Sequence, residues 1–521
     1  MAQENARTRK SIKNAVVSTS YYLILLFLGF FSRRIFFDYL GSEVLGLGTT
    51  ANDLLGFLNI SELGIGGAVG FLLYKPIFEK DHEKIKEIIT VQGWLYRMIA
   101  LFIIGASCIL MCFFPLIFAK SELPLGYAYI VFGVMLVGSM LGYFFNYRVI
   151  LLSADQKNYK SVRIYQGMEA AKIVFQMIAV TTFKHPFFWW IGIDFASRIF
   201  CTIGLDMIIR REYPWLKLSL KNGREFNKRN PEIIKKTKQI FFHKIAGVAL
   251  GNSSAPILYA FTSLTTVAFY ANYQLILKKI SAIMRNLFGS TSAAVGDLVA
   301  EGNRKSIMRV FWELFDSRIM MASVVIICSF FLTQPFISAW LGSEYLLGRK
   351  FLLIYLIMQG ILMTRETVDS FIGAHGIFQD IWAPMTETVI NIGCSILFGW
   401  LWGLEGIILG VTTSLVLIVE IWKPIFLFKV GFKESPIPYF LRVGARLAVI
   451  VAIAYVTSLI LPHLPLYAEA GTSFLKWTVF ASETFVVVVV LIGAAFLTFS
   501  TGMRNFIKRM KSVILKPSGN S

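Results

Sequence analysis

Residues 91–118 read VQGWLYRMIALFIIGASCILMCFFPLIF, an apolar run that is long enough to cross a lipid bilayer as one helix. A helical span needs about 20 predominantly apolar residues, and runs of this kind recur along the whole chain of 521 residues. The runs lie at 14–38, 44–74, 91–118, 126–152, 160–183, 187–210, 239–263, 266–297, 307–338, 350–373, 380–401, 403–427, 438–462 and 473–499. The sequence therefore predicts an all-α polytopic membrane protein with about 14 transmembrane helices.

The composition agrees with a membrane protein. The chain is 56% hydrophobic with a mean hydropathy of +0.64, and only 16% of it is charged. A soluble domain of this length would need far more polar residues to cover its core. The net charge of +20 first suggests nucleic-acid binding. However, the basic residues lie in short connections and tails between the apolar runs, so we expect no nucleic-acid partner.

The basic residues also predict the orientation in the membrane. With a cytoplasmic N-terminus, the predicted inner connections carry most of the lysines and arginines, including the stretch 211–238 and the C-terminal tail. The predicted outer connections hold only Lys120, Lys184, Arg349 and Lys350. This asymmetry predicts an even number of spans with both termini in the cytoplasm.

Two parts of the chain resemble each other at an offset of about 220 residues. YLGSEVLGLGTTANDLL at 39–55 is matched by FTSLTTVAFYANYQLIL at 261–277, and GIGGAVG at 64–70 is matched by GSTSAAVG at 289–296. Because both parts start inside, the repeat is parallel, and it predicts two six-helix lobes around a central cavity, followed by two C-terminal helices. The expected segments are an N-lobe at 1–210, a basic cytoplasmic linker at 211–238, a C-lobe at 239–427, and spans 13 and 14 with a basic tail at 428–521.

Signatures of enzymes are absent from the sequence. It contains no P-loop, no HExxH, no GxSxG and no dinucleotide-binding fingerprint. The five histidines are scattered, and the five cysteines form no CxxC pair. We therefore expect a transporter rather than an enzyme, with no metal site and no cofactor.

Basic side chains inside the apolar runs are the most informative functional signal, because a charge in lipid is costly and should face protein or water. They are Arg33 and Arg34 in the first run, Lys278 and Lys279 in the eighth, and Arg365 in the tenth. Neither lysine has an acid one turn away on its own helix. Its charge must therefore be compensated by another span, by water or by a ligand. Adjacent residues on a helix point about 100° apart, so one of each pair should face a cavity. Surplus positive charge in a cavity favours an anion such as phosphate or diphosphate.

A structural interpretation stands beside the functional one for most of the charged residues. The acids at comparable depth are Asp53, Glu169, Asp194, Glu366 and Glu387. Four spacings suit ion pairs within one helix. They are Glu169 with Lys172, Asp194 with Arg198, Arg365 with Asp369, and Arg34 with Asp38. For these residues both interpretations stay open.

Residues 33–85 carry a family resemblance. They read RRIFFDYLGSEVLGLGTTANDLLGFLNISELGIGGAVGFLLYKPIFEKDHEKI. The stretch resembles the start of bacterial O-antigen and capsular polysaccharide flippases, which belong to the multidrug/oligosaccharidyl-lipid/polysaccharide exporter superfamily. The matching features are Arg33 before Leu40–Gly41, the ELGIG run from Glu62, and LYKP from Leu73. The resemblance covers the whole chain in topology and is residue-specific mainly in its first third.

This resemblance implies a V-shaped, two-lobe fold with a cationic central cavity that opens alternately to the two sides of the membrane. The implied substrate is an undecaprenyl-diphosphate-linked oligosaccharide, moved from the cytoplasmic to the outer leaflet of the bacterial inner membrane. In such proteins basic residues of span 1 and of the second lobe meet the diphosphate. Arg33 or Arg34 matches by its neighbouring motif, and Lys278 and Arg365 match by position in the bundle. Spans 13 and 14 would flank a groove for the lipid tail, and membrane lipids and the polysaccharide polymerase machinery are the implied partners.

The resemblance also implies an energy source. Family members are often driven by a cation gradient, of Na⁺ or H⁺, or by the membrane potential. The residues that would couple such a cation to transport are Asp53, Glu169, Glu387 and Asn391.

The main alternative is a cation-coupled multidrug exporter of the same superfamily. The two extra spans disfavour it, as does the basic balance of the mid-span charges. An exporter of cationic drugs should present carboxylates rather than Lys278 and Lys279. A membrane-embedded polymerase or glycosyltransferase would need large outward loops, and every predicted outward loop is short.

Overall fold

The protein is helical throughout the part of the chain that a computed structural model describes. That part comprises residues 2–59, 65–218, 222–229, 231–234, 237, 253–288, 295–296, 298–299, 301–377, 379–380 and 382–514. No strand occurs in these ranges. The prediction of an all-α protein is confirmed.

The helices follow one another with short connections. The first are α1 (Ala2–Leu58), α2 (Ile65–Glu79), α3 (His82–Cys112), α4 (Phe114–Ile117), α5 (Leu125–Phe144), α6 (Ile150–Ala154), α7 (Asn158–Thr182), α8 (Pro186–Glu212), α9 (Gly223–Arg229) and α10 (Ser254–Phe261). A 3₁₀ turn, Asn146–Val149, joins α5 to α6. The later helices are α11 (Leu264–Phe288), α12 (Arg304–Trp340), α13 (Arg349–Thr364), α14 (Glu366–Ala374), α15 (Trp382–Leu415), α16 (Lys423–Phe426), α17 (Ile437–Ile460), α18 (Phe474–Phe499) and α19 (Thr501–Ile514). Two π-helical segments, Val416–Trp422 and Leu427–Phe432, flank α16.

The helices agree with the predicted spans. Each of the fourteen apolar runs overlaps a helix of the structure, although much of the seventh run, 239–263, lies outside the described residues. Seven helical segments of the described chain can cross a membrane by length and hydropathy alone. They are His82–Cys112, Leu125–Phe144, Arg304–Trp340, Arg349–Ala374, Trp382–Phe432, Ile437–His463 and Phe474–Phe499. The polytopic helical fold is therefore confirmed.

Two of the long helices bend at a glycine, and each bend separates two predicted spans. α1 runs through Gly41, whose φ of 80° and ψ of 165° are not helical. α15 runs through Gly403, with φ of 59° and ψ of −130°. A positive φ is strained for residues that carry a Cβ atom, so glycine is the residue that allows these turns. At each bend, one continuous helix therefore passes from one predicted span into the next.

The outer surface is apolar, as expected for a chain surrounded by lipid. Large side chains such as Leu101, Phe102, Leu116, Leu475 and Phe499 are mostly exposed. A water-soluble monomer rarely exposes apolar patches of this extent. These side chains therefore mark the lipid-facing surface.

The chain divides into two compact units, Met1–Ala268 and Phe269–Ser521. The division falls within α11. In the first unit α1 packs along α7 and α5, α7 packs on α8, and α3 packs on α2 and α5. The segment limits predicted from the sequence, with a linker at 211–238, stay a prediction.

The second unit is built around α12. This helix packs against α13, α18 and α19, and α13 packs against α15. The Phe311 ring of α12 is fully buried and lies 5.3 Å from the rings of Phe371 and Phe432 and 5.6 Å from that of Phe428. Edge-to-face packing at such distances is the preferred geometry of aromatic pairs. An aromatic core thus holds α14 and the segments around α16 against α12.

Candidate functional site

The adjacent arginines of α1 have different surroundings. Arg33 is half-buried, its Nη2 atom donates to the Ala268 carbonyl oxygen at 3.2 Å, and its guanidinium lies 5.1 Å from the centre of the Phe37 ring. Arg34 is exposed, as is Asp38. Neighbouring residues on a helix point in different directions. Of this pair, Arg33 is the residue held by the surrounding protein.

The adjacent lysines of α11 differ in the same way. Lys278 is exposed, and its ammonium donates to the Gln274 side-chain oxygen at 3.1 Å. The Gln274 amide in turn donates to the Tyr270 hydroxyl at 2.7 Å. Lys279 is half-buried. Lys278 thus presents its ammonium group at the surface of α11, beside the neutral amide of Gln274.

The acids and bases of α7 and α8 form one network. The Lys172 ammonium lies 2.7 Å from Glu169 and 3.2 Å from Asp194, and Arg198 Nε donates to Asp194 at 2.7 Å. Both pairs that the helical spacing allowed are present, and Lys172 joins them across the two helices. With two acids and two bases, the network is electrically balanced. Its geometry explains how these charges are tolerated inside a membrane protein.

Arg365 also lies among opposite charges. Its Nε atom donates to Asp369 at 3.0 Å, and its Nη1 atom lies 4.0 Å from Glu387. The Lys423 ammonium donates to the other Asp369 oxygen at 2.6 Å. We refer to Arg365, Asp369, Glu387 and Lys423 as the Arg365 cluster. It contains two bases and two acids, so Arg365 serves an ion-pair network in this structure.

Three charged residues near this cluster were not predicted from the sequence. Arg318 of α12 is almost fully buried and lies 3.8 Å from Glu366. Glu420 accepts from the Thr364 hydroxyl at 3.4 Å. Lys423 belongs to the cluster itself. All three lie inside predicted apolar runs, 307–338 and 403–427, so the signal that could have found them was the same mid-span charge that singled out Arg365.

The predicted coupling residues fall into separate places. Glu387 and Asn391, one turn apart on α15, are both almost fully buried. In the described part of the chain the buried Glu387 Oε1 atom has no hydrogen-bond partner, and its neighbouring charge is Arg365. Glu169 belongs to the α7–α8 network, and Asp53 is half-buried on α1. The structure thus brings together two of the four, Glu387 and Asn391.

A second ion-pair group lies at the ends of α6, α7 and α8, outside the spans. The Lys157 ammonium lies 2.7 Å from Asp155 and 3.3 Å from Glu212, and Lys160 also pairs with Glu212. The hydrogen bond from Lys160 lowers the pKa of the Glu212 carboxyl, and Lys157 adds to this effect against the cost of burial. Burial disfavours the charged form of Lys157, but its bonds to Asp155 and Glu212 raise its pKa overall. These pairs tie the start of α7 to the end of α8.

Metal-binding groups are not assembled in the described residues. Across these ranges no set of three or more His, Cys, Asp and Glu side chains is placed to hold a metal ion.

Comparison with known proteins identifies the fold. No protein-family model matches the chain, and no curated protein sequence matches it. Among solved structures, the chain is similar to the lipid II flippase MurJ in an inward closed conformation, with a TM-score of 0.64 and 16% identity over 94% of this chain and 100% of that one. It is also similar to an inward-facing multidrug resistance MATE family transporter of the MOP superfamily, with a TM-score of 0.54 and 14% identity over 83% of this chain and 98% of that one. The chain has the fold of these transport proteins.

Proposed function

We propose that the chain is a flippase that moves an undecaprenyl-diphosphate-linked oligosaccharide, the repeat unit of a surface polysaccharide, across the bacterial cytoplasmic membrane. The observation that carries this proposal is the fold similarity to MurJ, a lipid II flippase, over the full length of that protein. The resemblance of residues 33–85 to polysaccharide flippases supports it independently, because it comes from the sequence. The proposal includes alternating access by an N-lobe and a C-lobe, with both termini in the cytoplasm.

The proposed diphosphate-binding groups are the basic residues of α1 and α11. Arg33 has a planar guanidinium in a half-buried setting, and Lys278 presents an exposed ammonium. Such groups suit the oxygens of a diphosphate. Arg34 and Lys279, the adjacent basic residues, are further candidates for binding the diphosphate. Arg365 is a weaker candidate for diphosphate binding, because Asp369 already accepts its hydrogen bond.

The proposed coupling cation is Na⁺ or H⁺. Glu387 and Asn391 support this part of the proposal best, because they are buried, polar and adjacent on α15. A buried carboxylate oxygen without a hydrogen-bond donor is a natural acceptor for a cation. Asp53 and Glu169 are the other candidates, and Glu169 is already engaged by Lys172.

The alternative function is a cation-coupled multidrug exporter. The similarity to a multidrug resistance transporter supports it. The two C-terminal helices α17 and α18 and the exposed ammonium of Lys278 favour the flippase.

A flipping assay in proteoliposomes tests the proposal. The purified full-length chain is reconstituted with a fluorescent undecaprenyl-diphosphate disaccharide, and uptake of a cationic dye is measured in parallel. We expect the lipid to move and the dye to stay. Arg33→Ala combined with Arg34→Ala should abolish lipid movement, whereas Lys476→Ala, at a partly exposed residue paired with Glu469, should not.

The other results have definite meanings. Movement of the dye alone would establish the exporter and direct attention to Asp53, Glu169 and Glu387. Movement of neither compound by folded protein would contradict both functions.

A further inference from the structure

The first unit contains a cavity of about 630 Å³, which lies within the range of about 300–1,000 Å³ that is usual for ligand sites. Its walls come from α2, α3, α5, the 3₁₀ turn after α5, α6 and α7. Five amide side chains and seven hydroxyl side chains line it, and among the described residues that line it there is no Asp, Glu, Lys, Arg or His. The cavity is therefore polar but uncharged.

Three amide oxygens in the wall lack partners. Gln92 Oε1, Asn146 Oδ1 and Gln166 Oε1 are buried and make no hydrogen bond in the described chain. Gln92 is the most enclosed, with 1% of its surface exposed. Asn146 is held in place because its Nδ2 atom donates to Thr202 at 3.3 Å. Buried polar groups in proteins are nearly always hydrogen-bonded. We therefore expect these three oxygens to accept hydrogen bonds from a donor that is not part of the described chain.

Two further amides in the wall accept hydrogen bonds through their oxygens. Asn59 Oδ1 accepts from Ser139 at 3.1 Å and from Tyr143 at 3.0 Å. Asn158 Oδ1 accepts from Ser153 at 3.0 Å and from Ser161 at 2.8 Å. With its oxygen engaged, each of these amides has an NH₂ group as its remaining function. The wall thus offers hydrogen-bond donors as well as acceptors.

The wall excludes several classes of ligand. A phosphate group presents only acceptors to the wall, and no cation among the described residues lines the wall to meet it; the three amide oxygens without partners would stay unsatisfied. A cationic drug would be expected to meet a carboxylate, and an apolar one would leave the amide oxygens unsatisfied. A single metal ion could not reach all sides of a cavity this large, because even a water molecule occupies only about 30 Å³.

Hydroxyl groups fit the wall, since each of them donates and accepts one or more hydrogen bonds. We propose that this cavity binds the uncharged sugar rings of the lipid-linked oligosaccharide, through Gln92, Asn146 and Gln166. This inference rests on the proposed function and adds to it a separate site for the glycan, apart from the basic residues that would meet the diphosphate.

The position of the cavity agrees with this role. Asn158 is the first residue of α7, and Gln92 lies ten residues into α3, a rise of about 15 Å along the helix. By the predicted topology both helices begin at the cytoplasmic side. The cavity would then lie in the cytoplasmic half of the membrane, where the proposed substrate is taken up.

Gly142 of α5 provides a way to fill the cavity. It lines the cavity, and a Cβ atom built on it meets nothing within 4 Å. Gly142→Leu should therefore occupy the space without forcing the helices apart. Gly133, on the same helix, has equally open surroundings and does not line the cavity. Gly133→Leu is the matched control.

The experiment measures binding to the full-length protein in nanodiscs. The probes are undecaprenyl diphosphate alone and the same lipid linked to glucose, galactose or N-acetylglucosamine. In the wild type we expect at least one sugar to tighten binding by about tenfold or more. Gly142→Leu should remove this gain and leave the affinity for undecaprenyl diphosphate unchanged, and Gly133→Leu should keep both.

A second variant tests the amide groups. Gln92→Met keeps the length of the side chain and removes the oxygen that has no partner. We expect it to weaken the sugar-dependent gain with little change in the melting temperature, because the Gln92 oxygen that it removes makes no hydrogen bond in the described chain. A residue kept for structure alone would instead lower the melting temperature and leave the gain intact.

The contrary results separate this inference from the proposed function. If the wild type binds the lipid but no sugar tightens binding, or if Gly142→Leu keeps the gain, the sugar site is wrong and the flippase proposal stands. If the folded wild type binds neither lipid, the proposed function fails, and the sugar site fails with it.

Discussion

Asp316 offers the most quantitative test of the packing in the second unit. This carboxylate is fully buried on α12, and Arg446 of α17 approaches it with Nε at 2.5 Å and donates from Nη2 at 2.7 Å. The Ser500 hydroxyl, just after α18, donates to it at 2.6 Å. One acid thus connects the two C-terminal spans to α12.

The expected cost of Arg446→Met follows from this geometry. Removing one partner of a buried ion pair costs about 3–5 kcal/mol, because the other charge is left uncompensated. The charge-assisted hydrogen bond from Nη2 that is lost, at about 1.5–3 kcal/mol, accounts for much of this cost. Arg446 is 14% exposed, so water can partly replace it, and we expect a loss of about 3 kcal/mol.

Arg442 provides the control on the same helix. Its guanidinium lies 4.3 Å from the centre of the Trp312 ring, which Arg446 also contacts at 5.6 Å. Arg442→Met removes a cation–π contact from an exposed residue and should cost about 0.5–1 kcal/mol. Combining Asp316→Leu with Arg446→Met removes both charges, so the double variant should recover about 2 kcal/mol relative to the sum of the single variants.

The free energy of unfolding can be measured in mixed micelles by titration with SDS, with tryptophan fluorescence as the signal. Equal slopes of the unfolding curves would show that the variants expose the same surface area when they unfold. The reasoning is refuted if Arg446→Met costs no more than Arg442→Met, or if the double variant loses the full sum of the single costs.

Three further predictions concern transport, packing and pH. Replacing Lys278 and Lys279 together by alanine should abolish flipping of the lipid-linked disaccharide while membrane insertion stays normal. Unchanged flipping would mean that neither lysine binds the substrate. Gly46→Ala should lower the melting temperature by about 5 °C or more, because the added Cβ atom would overlap the Leu264 carbonyl oxygen, and a smaller loss would mean that α1 shifts easily. Glu212→Gln should lower the melting temperature at pH 7, because the wild-type carboxylate is stabilised by two lysines. Its pKa is lowered in the folded protein, so this stability is present above the ordinary value of 4.5 and is lost as the pH falls from there through the lowered pKa; a difference between variant and wild type that does not shrink as the pH falls below 4.5 would contradict the assignment.

The ion pairs within one helix show what local spacing can predict. Glu169 with Lys172, Asp194 with Arg198, and Arg365 with Asp369 are all paired in the structure. Residues three or four apart lie on the same side of any α-helix. The helix alone therefore permits such pairs, but it does not ensure them, since Arg34 and Asp38 have the same spacing and are both exposed.

The partners from other helices could not be predicted in this way. Lys172 also reaches Asp194, and Lys423 reaches Asp369 from 54 residues further along the chain. The cavity likewise joins Gln92, Asn146 and Gln166 from three separate elements. Nothing in the sequence around these residues indicates which distant residues they meet.

The sequence by itself determined that the chain is helical and membrane-embedded, and it predicted about 14 spans and the charges that lie inside them. In lipid every backbone hydrogen bond must be made within the span, so the length and polarity of each run are enough to predict it. Only the tertiary structure decided which charges neutralise one another and where uncharged polar groups enclose a cavity. Those outcomes depend on how distant helices pack, and Gln92 lies in the chain 54 residues before Asn146.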